Sequence, residues 1–176
     1  MHFIVYNKNL DPNLWNNQKE LNPEVRNILL KIAKDYYENN EQIQGVLTDV
    51  YMVGSSANYN WTPESDLDMH LVIDVEKMEI PEEAARTLFE LFSHKWNHQH
   101  DINVKGHNVE LYLQSTDHEL KSSGIYSLIS GEWIKEPHPE KVDIDESYIK
   151  SKYRNMAIRI EKAIKDVNQK YRSEFR

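Results

Sequence analysis

Two aspartates separated by a single residue carry the clearest chemical signal in this sequence. Asp66 and Asp68 flank Leu67 in an alternating segment, and in a strand such residues share one face, about 6.5–7 Å apart along the backbone. Carboxylates this close repel each other unless a cation compensates their charge. Ligands made only of oxygen suit hard ions such as Mg²⁺ or Mn²⁺. The pair therefore predicts a site for a divalent metal.

A glycine-serine turn stands upstream of the two aspartates. Gly54 and Ser55 follow an apolar residue, and ten residues separate Ser55 from Asp66. If Ser55 begins a helix, its backbone N–H groups and its hydroxyl would bind an anion. A phosphate-binding turn beside an acid pair indicates a metal-bound nucleoside triphosphate.

Each of these signals also has a purely structural interpretation. The Asp-Leu-Asp segment could be a solvated strand edge, and Gly-Ser turns are common. His70 shares the face of the aspartates and could touch a phosphate, although a structural histidine is the alternative. Other residues could bind a nucleotide, but core or rim packing, or a plain loop, is the favoured explanation for them: Tyr59, Trp61, Tyr126, Lys121, Ser122 and Ser123.

Four further histidines raise the alternative of a zinc site. These are His94, His98, His100 and His107. Only His94 and His98 have the i, i+4 spacing of one helix face, and no acid stands at a suitable offset on that face. The pattern therefore favours the carboxylate site over a histidine site.

The elements that must position the two aspartates form a mixed α and β pattern. Asn22-Pro23 is a typical helix start, and the spacing of apolar residues after it predicts a helix to about Tyr37. Alternation predicts a strand over Asp66 to Asp74. A preceding strand is expected over Asp49 to Val53, ending at Gly54.

The second half of the chain continues this pattern. Pro81 opens a second helix, for which we expect a buried face of Ala84, Leu88, Leu91, Phe92 and Trp96. Hairpins are expected around Gly106 and across Ser130-Gly131. A long helix closes the chain.

Composition bounds the class of protein. A chain of 176 residues and 20.9 kDa is expected to form one compact unit or a core with an appended helix. It has no cysteine for disulfides or thiolate zinc sites. No apolar run is long enough for a membrane span or a signal peptide, so we expect a cytoplasmic protein that does not bind membranes.

Charge is distributed unevenly along the chain. The net charge of −8 divides into +6 from residue 149 onward, with nine basic and three acidic residues, and −14 before it. The acidic body argues against a general polyanion binder. The basic tail favours a solvated amphipathic face, with contact to a short RNA or to a phosphate on another molecule as the alternative.

The order Gly54-Ser55, ten residues, then Asp66-apolar-Asp68-apolar resembles the signature of the DNA polymerase beta-like nucleotidyltransferase superfamily. In that superfamily a third carboxylate lies on a later strand between apolar neighbours. Val109-Glu110-Leu111 matches this position, with glutamate where aspartate is usual.

The resemblance implies an α+β fold, the minimal nucleotidyltransferase fold. Its mixed β-sheet has helices packed on one face, the metal site on the other, and here a long C-terminal helix. The implied domains are a lead-in (1–21), a core (22–137) and a helical extension packed on the core (138–176).

The resemblance also implies an activity: transfer of a nucleoside monophosphate from an NTP, ATP by default, to an acceptor with release of pyrophosphate. Asp66 and Asp68 would hold two Mg²⁺ ions, and Glu110 would hold the acceptor-side ion or act as the base. Gly54 and Ser55 would bind the β and γ phosphates. Two alternatives stay open: a non-catalytic regulator or binding module of the same fold, and a metal-dependent phosphohydrolase or nuclease.

A narrower resemblance covers about residues 20 to 137. Four segments are similar to small nucleotidyltransferase-like proteins of bacteriophages, for which the location would be the host cytoplasm. They are Gly54 to Trp61, Ser65 to His70, Val109 to Tyr112 and Ser122 to Ser127. The acceptor, whether RNA, protein or small molecule, and the oligomeric state do not follow from these segments.

Overall fold

The computed structural model describes residues 6–76, 78, 80–139 and 146–174. Residues 1–5 of the expected lead-in, and 140–145 and 175–176 of the expected extension, lie outside that description. The chain divides into two compact units, Met1–Pro139 and Glu140–Arg176. The first unit holds the sheet and two α-helices, and the described residues of the second form one helix.

One mixed six-stranded sheet forms the centre of the first unit, with the order β3-β4-β2-β1-β5-β6. The pair β2 and β4 is parallel, and every other pair is antiparallel. The strands are β1 (Val46–Val53), β2 (Leu67–Asp74), β3 (Asn103–Val104), β4 (His107–Ser115), β5 (Ile125–Ser127) and β6 (Glu132–Lys135). Both expected hairpins are present, and β1 begins three residues before the predicted start.

The helices are α1 (Pro23–Glu38), α2 (Glu82–Gln99) and α3 (Glu146–Glu174). The Asn22 side chain caps α1 by accepting a hydrogen bond from the backbone N–H of Glu24 at 2.9 Å, as the Asn-Pro start predicts. The α+β fold with a mixed sheet and a C-terminal helix is confirmed. Packing of α3 on the core stays a prediction.

The two faces of the sheet differ in character. Met52, Met69 and Leu111 are fully buried and join the buried residues of α1 and α2 in one apolar core. Asp68 and Glu110 alternate with these residues along β2 and β4, so their side chains point to the opposite face. Helices therefore cover one face, and the carboxylates lie on the other.

The buried face of α2 matches the prediction from apolar spacing only in part. Trp96 is buried and Phe92 packs against the core, but Ala84 and Leu91 are exposed. Ala85, Phe89, Ser93 and Trp96 are buried, whereas Leu91 is 60% exposed. The reason is that α2 lies against the outer edge of β4 and presents polar side chains to it.

Those polar side chains of α2 hydrogen-bond the backbone of β4. The Ser93 hydroxyl accepts from the Leu113 N–H at 2.9 Å. The Asn97 side chain accepts from the Leu111 N–H at 2.8 Å and donates to the Leu111 carbonyl at 3.1 Å. A helix thus satisfies backbone groups that a neighbouring strand would otherwise bind.

None of the helices within the described ranges combines the length and apolarity that crossing a bilayer requires.

Candidate active site

Asp68 and Glu110 are direct neighbours on two parallel strands. The register pairs Asp68 with Glu110 and Leu67 with Val109, and paired residues of adjacent strands share one face. Asp66 precedes Asp68 by two residues and lies just before β2, which begins at Leu67. All three carboxylates are half-buried. The structure brings together the three acids that the sequence indicated, while their catalytic and metal-binding roles stay predictions.

Burial, followed by mutual repulsion, raises the pKa of two of these acids. The pKa of Asp68 rises from 3.8 to about 6 because the side chain is desolvated and because Glu110 and Asp66 lie nearby. Burial and Glu110 also raise the pKa of Asp66, and His107 opposes that rise. The cluster therefore holds negative charge at a free-energy cost that a bound cation would offset.

Gly54 is required by the Asp68 carboxylate. Its φ angle is 76°, in the left-handed region that favours glycine. A Cβ atom at this position would lie 1.9 Å from Oδ2 of Asp68. The turn after β1 and the acid on β2 are thus in direct contact, and only glycine permits this approach.

Ser55 and Ser56 join the same turn to the loop before β2. Residues Ser55–Ala57 form one turn of 3₁₀ helix, shorter than the helix start that the sequence suggested. The Ser55 hydroxyl donates to the hydroxyl of Ser65 at 2.7 Å. The hydroxyl of Ser56 is fully buried and donates to the Asp66 carbonyl at 2.7 Å. Ser55 and Ser56 therefore hold the Gly54–Ser55 turn, the candidate phosphate-binding turn, against the loop that carries Asp66.

A buried pair that the sequence analysis missed supports Asp66 from the other side. Nδ1 of His107 lies 2.7 Å from the Ser65 carbonyl, and its Nε2 lies 3.0 Å from Oδ2 of Asp11. Oδ2 of Asp11 makes no well-aligned hydrogen bond, so the two side chains form a close buried contact without one. His107 is 3% exposed and Asp11 is fully buried. The pair fixes the peptide that leads directly into Asp66.

Glu110 has its own hydrogen-bond partner on β4. The hydroxyl of Tyr112 donates to Oε2 of Glu110, and burial together with this bond raises the pKa of the Tyr112 phenol. His70 lies beside Tyr112 with ring centroids 5.0 Å apart, and its Nδ1 contacts Gln114 at 2.7 Å. Burial lowers the pKa of His70. His70 is thus bound within the sheet face next to the acids.

The carboxylates of Asp66, Asp68 and Glu110 are the oxygen ligands that a hard divalent cation prefers, and their mutual repulsion would be relieved by such an ion. As the side chains stand, no three histidine, aspartate or glutamate residues of the described ranges are arranged to hold a metal ion. Asp68 packs against Gly54, and Glu110 bonds to Tyr112. Metal binding would require these carboxylates to rotate toward a common point.

The other candidates are dispersed. His94 and His98 are exposed on α2 with ring centroids 6.4 Å apart, His100 stacks on Trp96, and His107 is buried beside Asp11. Tyr59 and Tyr126 are 5% and 3% exposed, so both pack in the core. The Ser123 hydroxyl accepts from the Asn58 amide, which ties its loop to the end of the Gly54–Ser55 turn.

The fold and the three acids define a nucleotidyltransferase-type palm. Residues 7–110 match the sequence model of the family described as poly(A) RNA polymerase, mitochondrial-like, central palm domain. The chain belongs to this family. The matched segment is more than half of the chain, and it contains Gly54, Ser55 and all three acids.

No match was found among curated proteins or among solved structures. The narrower resemblance to bacteriophage proteins stays a prediction.

Proposed function

We propose that this protein is a Mg²⁺-dependent nucleotidyltransferase. It transfers a nucleoside monophosphate from an NTP, with ATP as the default, to an acceptor and releases pyrophosphate. The observation that carries the proposal is the strand register that sets Asp68 beside Glu110, with Gly54 in contact with Asp68. Membership of a polymerase-type palm family supports it.

The proposal assigns a role to each site residue. Asp66 and Asp68 hold the metal ions, and Gly54 and Ser55 bind the β and γ phosphates. Bound Mg²⁺ supplies electrostatic activation of the attacking oxygen and neutralises the leaving pyrophosphate. The acceptor oxygen bonds to the α-phosphorus as the bond to the β-phosphate bridging oxygen breaks.

Glu110 takes the proton that the acceptor oxygen loses. Its Oε2 accepts the Tyr112 hydroxyl, which leaves Oε1 to act as the base or as a metal ligand. In this proposal the Tyr112 hydroxyl orients the Glu110 carboxylate. The cysteine-free composition supports a reducing compartment such as the cytoplasm.

The test uses the full chain, each of the four NTPs labelled at the α-phosphate, Mg²⁺ or Mn²⁺, and a cell extract as the source of acceptor. We expect label on a product together with pyrophosphate release, and loss of both in Asp68→Asn. Asp74→Asn is the matched control, because Asp74 ends the same strand away from the cluster.

Two results would favour the alternatives. Nucleotide binding without label on any RNA, protein or small molecule would indicate a non-catalytic module. Release of orthophosphate, or cleavage of nucleic acid, would indicate a phosphohydrolase or nuclease.

A further inference from the structure

The connection between β4 and β5 crosses the sheet face that carries the acids. β1 is antiparallel to both β2 and β5, so β5 runs in the same direction as β2 and β4. Residues 116–124, here called the strap, must therefore return along the length of the sheet while they pass β2 and β1. Since α1 and α2 cover the other face, the strap lies on the carboxylate face. Besides burial, the charge of His118 in the strap lowers the pKa of His70 on that face, which agrees with this course.

The end of the strap is held against the candidate phosphate-binding turn. A Cβ atom on Gly124 would overlap the carbonyl oxygen of Ala57, which is the last residue of the 3₁₀ turn that begins at Ser55. The side-chain amide of Asn58 donates to the Ser123 hydroxyl. The close approach of Gly124 and this hydrogen bond fix the end of the strap directly beside the turn.

Two lysines stand at this end of the strap. Lys121 precedes Ser123 by two residues, and Nζ of Lys135 donates to the Ser122 carbonyl at 2.8 Å. Both lysines are exposed. Among the residues that the structure describes, neither forms an ion pair with a carboxylate, whereas four other lysines do: Lys19, Lys31, Lys34 and Lys105. Two positive charges beside the turn thus have no carboxylate partner in that part of the chain.

The proposed reaction requires positive charge at this turn. Three carboxylates, two Mg²⁺ ions and an ionised triphosphate would together carry a net charge of about −3. The metal ions would lie at the acids, so the remaining negative charge is greatest on the terminal phosphate at Gly54–Ser55. The acids of the strap, Asp117 and Glu119, precede Lys121 and are nearer in sequence to β4. A lysine binds phosphate as a point charge on a flexible stem, so it can reach the phosphate from a loop.

We infer that Lys121 and Lys135 bind the terminal phosphate of the nucleotide and make the site select a triphosphate over a diphosphate. This inference rests on the proposed function, and it adds the side chains that recognise the nucleotide tail. An ammonium group has three N–H donors, so Lys135 can keep its bond to the Ser122 carbonyl and still donate to a phosphate oxygen. Both lysines contact the end of the nucleotide that does not react, and their effect is therefore on its affinity.

Isothermal titration calorimetry of the full-length protein in Mg²⁺ buffer tests the inference. The four NTPs are compared first, and the one that binds most tightly is then compared with its diphosphate. Lys121→Gln and Lys135→Gln should each weaken triphosphate binding about three- to tenfold and change diphosphate binding less than about twofold. Lys121→Arg keeps the positive charge and should retain most of the triphosphate affinity.

Lys95→Gln is the matched control, because Lys95 is an exposed lysine of α2 on the helix-covered side of the sheet. It removes the same charge and should change neither affinity. This comparison separates a contact with the terminal phosphate from a general change in net charge. A shift of the turn itself, caused by loss of the bond between Lys135 and Ser122, would weaken diphosphate and triphosphate binding equally.

The inference is overturned if the two glutamine variants bind the triphosphate as the wild type does, if they lose affinity for both nucleotides equally, or if Lys95→Gln has the same effect. In each of these cases, label transfer from an NTP by the wild type would keep the proposed function. If no NTP binds the wild type, the inference and the transferase proposal both fail. Triphosphate selectivity that depends on the two lysines, without label transfer, would keep the lysine site and favour the non-catalytic module.

Discussion

Replacing Asp68 with asparagine should stabilise the metal-free protein at neutral pH. Folding raises the pKa of Asp68 from 3.8 to about 6, so the folded state binds protons more tightly than the unfolded state. The protonated form of Asp68 contributes stability that is fully present below about pH 4 and is lost as the pH rises through about 6. Asparagine cannot ionise, so the variant does not lose this stability at higher pH.

The size of the effect follows from the same rise in pKa. At about 1.4 kcal/mol for each factor of ten in proton affinity, the rise corresponds to an upper limit of about 3 kcal/mol. Asp68 is half-buried, and water screens part of the repulsion. We therefore expect Asp68→Asn to be about 1–2 kcal/mol more stable than the wild type above pH 6 and equal to it near pH 4.

Urea denaturation across pH 4 to 8 measures this difference, with EDTA present to remove divalent ions. Taking the variant minus the wild type cancels the titration of all other groups that the substitution leaves unchanged. Asp74→Asn on the same strand should show no such pH-dependent gain. Added Mn²⁺ with nucleotide should then stabilise the wild type but not Asp68→Asn.

A variant that is less stable than the wild type at pH 7.5, or a difference that does not vary with pH, would refute the reasoning. The first result would mean that the Asp68 carboxylate stabilises the fold, and the second would mean that folding does not raise the pKa of Asp68.

Four further substitutions test the site and the elements around it. Gly54→Ala and Gly106→Ala should each cost about 1–2 kcal/mol through positive φ, but only Gly54→Ala displaces Asp68 and should abolish stabilisation by Mn²⁺ and NTP in thermal unfolding. Asn97→Ala leaves two backbone groups of β4 unpaired and should lower the free energy of unfolding, measured by urea denaturation, by about 1–3 kcal/mol. A loss below about 0.5 kcal/mol would mean that water replaces the Asn97 amide. His107→Gln should raise the Mn²⁺ concentration for half-maximal stabilisation several-fold, because the loop before Asp66 loses its support. If the variant is less stable but this Mn²⁺ concentration is unchanged, His107 has only a structural role.

Local patterns predicted the elements of the fold better than their contacts. The Asn22-Pro23 cap and the alternation over Asp66 to Asp74 located α1 and β2 within a residue or two, since capping and side-chain period are local properties. The buried face of α2 was predicted only in part, because Ser93 and Asn97 bond to the edge of β4. Spacing of apolar residues carries no information about a polar contact with a strand edge.

The sequence predicted the three acids of the candidate site but not the residues that hold them in place. Asp66, Asp68 and Glu110 stand out through their apolar neighbours and their resemblance to a known signature. Asp11 and His107 meet across 96 residues of sequence, and nothing near Asp11 signals a partner. A weak signal existed for His107, which alternates in step with the buried apolar residues of β4 and thus belongs to the buried face.

The hydrogen bonds from α2 side chains to the backbone of β4 affect how the protein unfolds locally. The amide hydrogens of Leu111 and Leu113 are bonded to side chains of a helix and not to a strand. Their exchange with deuterated solvent therefore reports the melting of α2 before any separation of the sheet. The same arrangement protects the chain from fibril growth and strand swapping at this edge, because an incoming strand finds these β4 amides engaged until the helix unwinds.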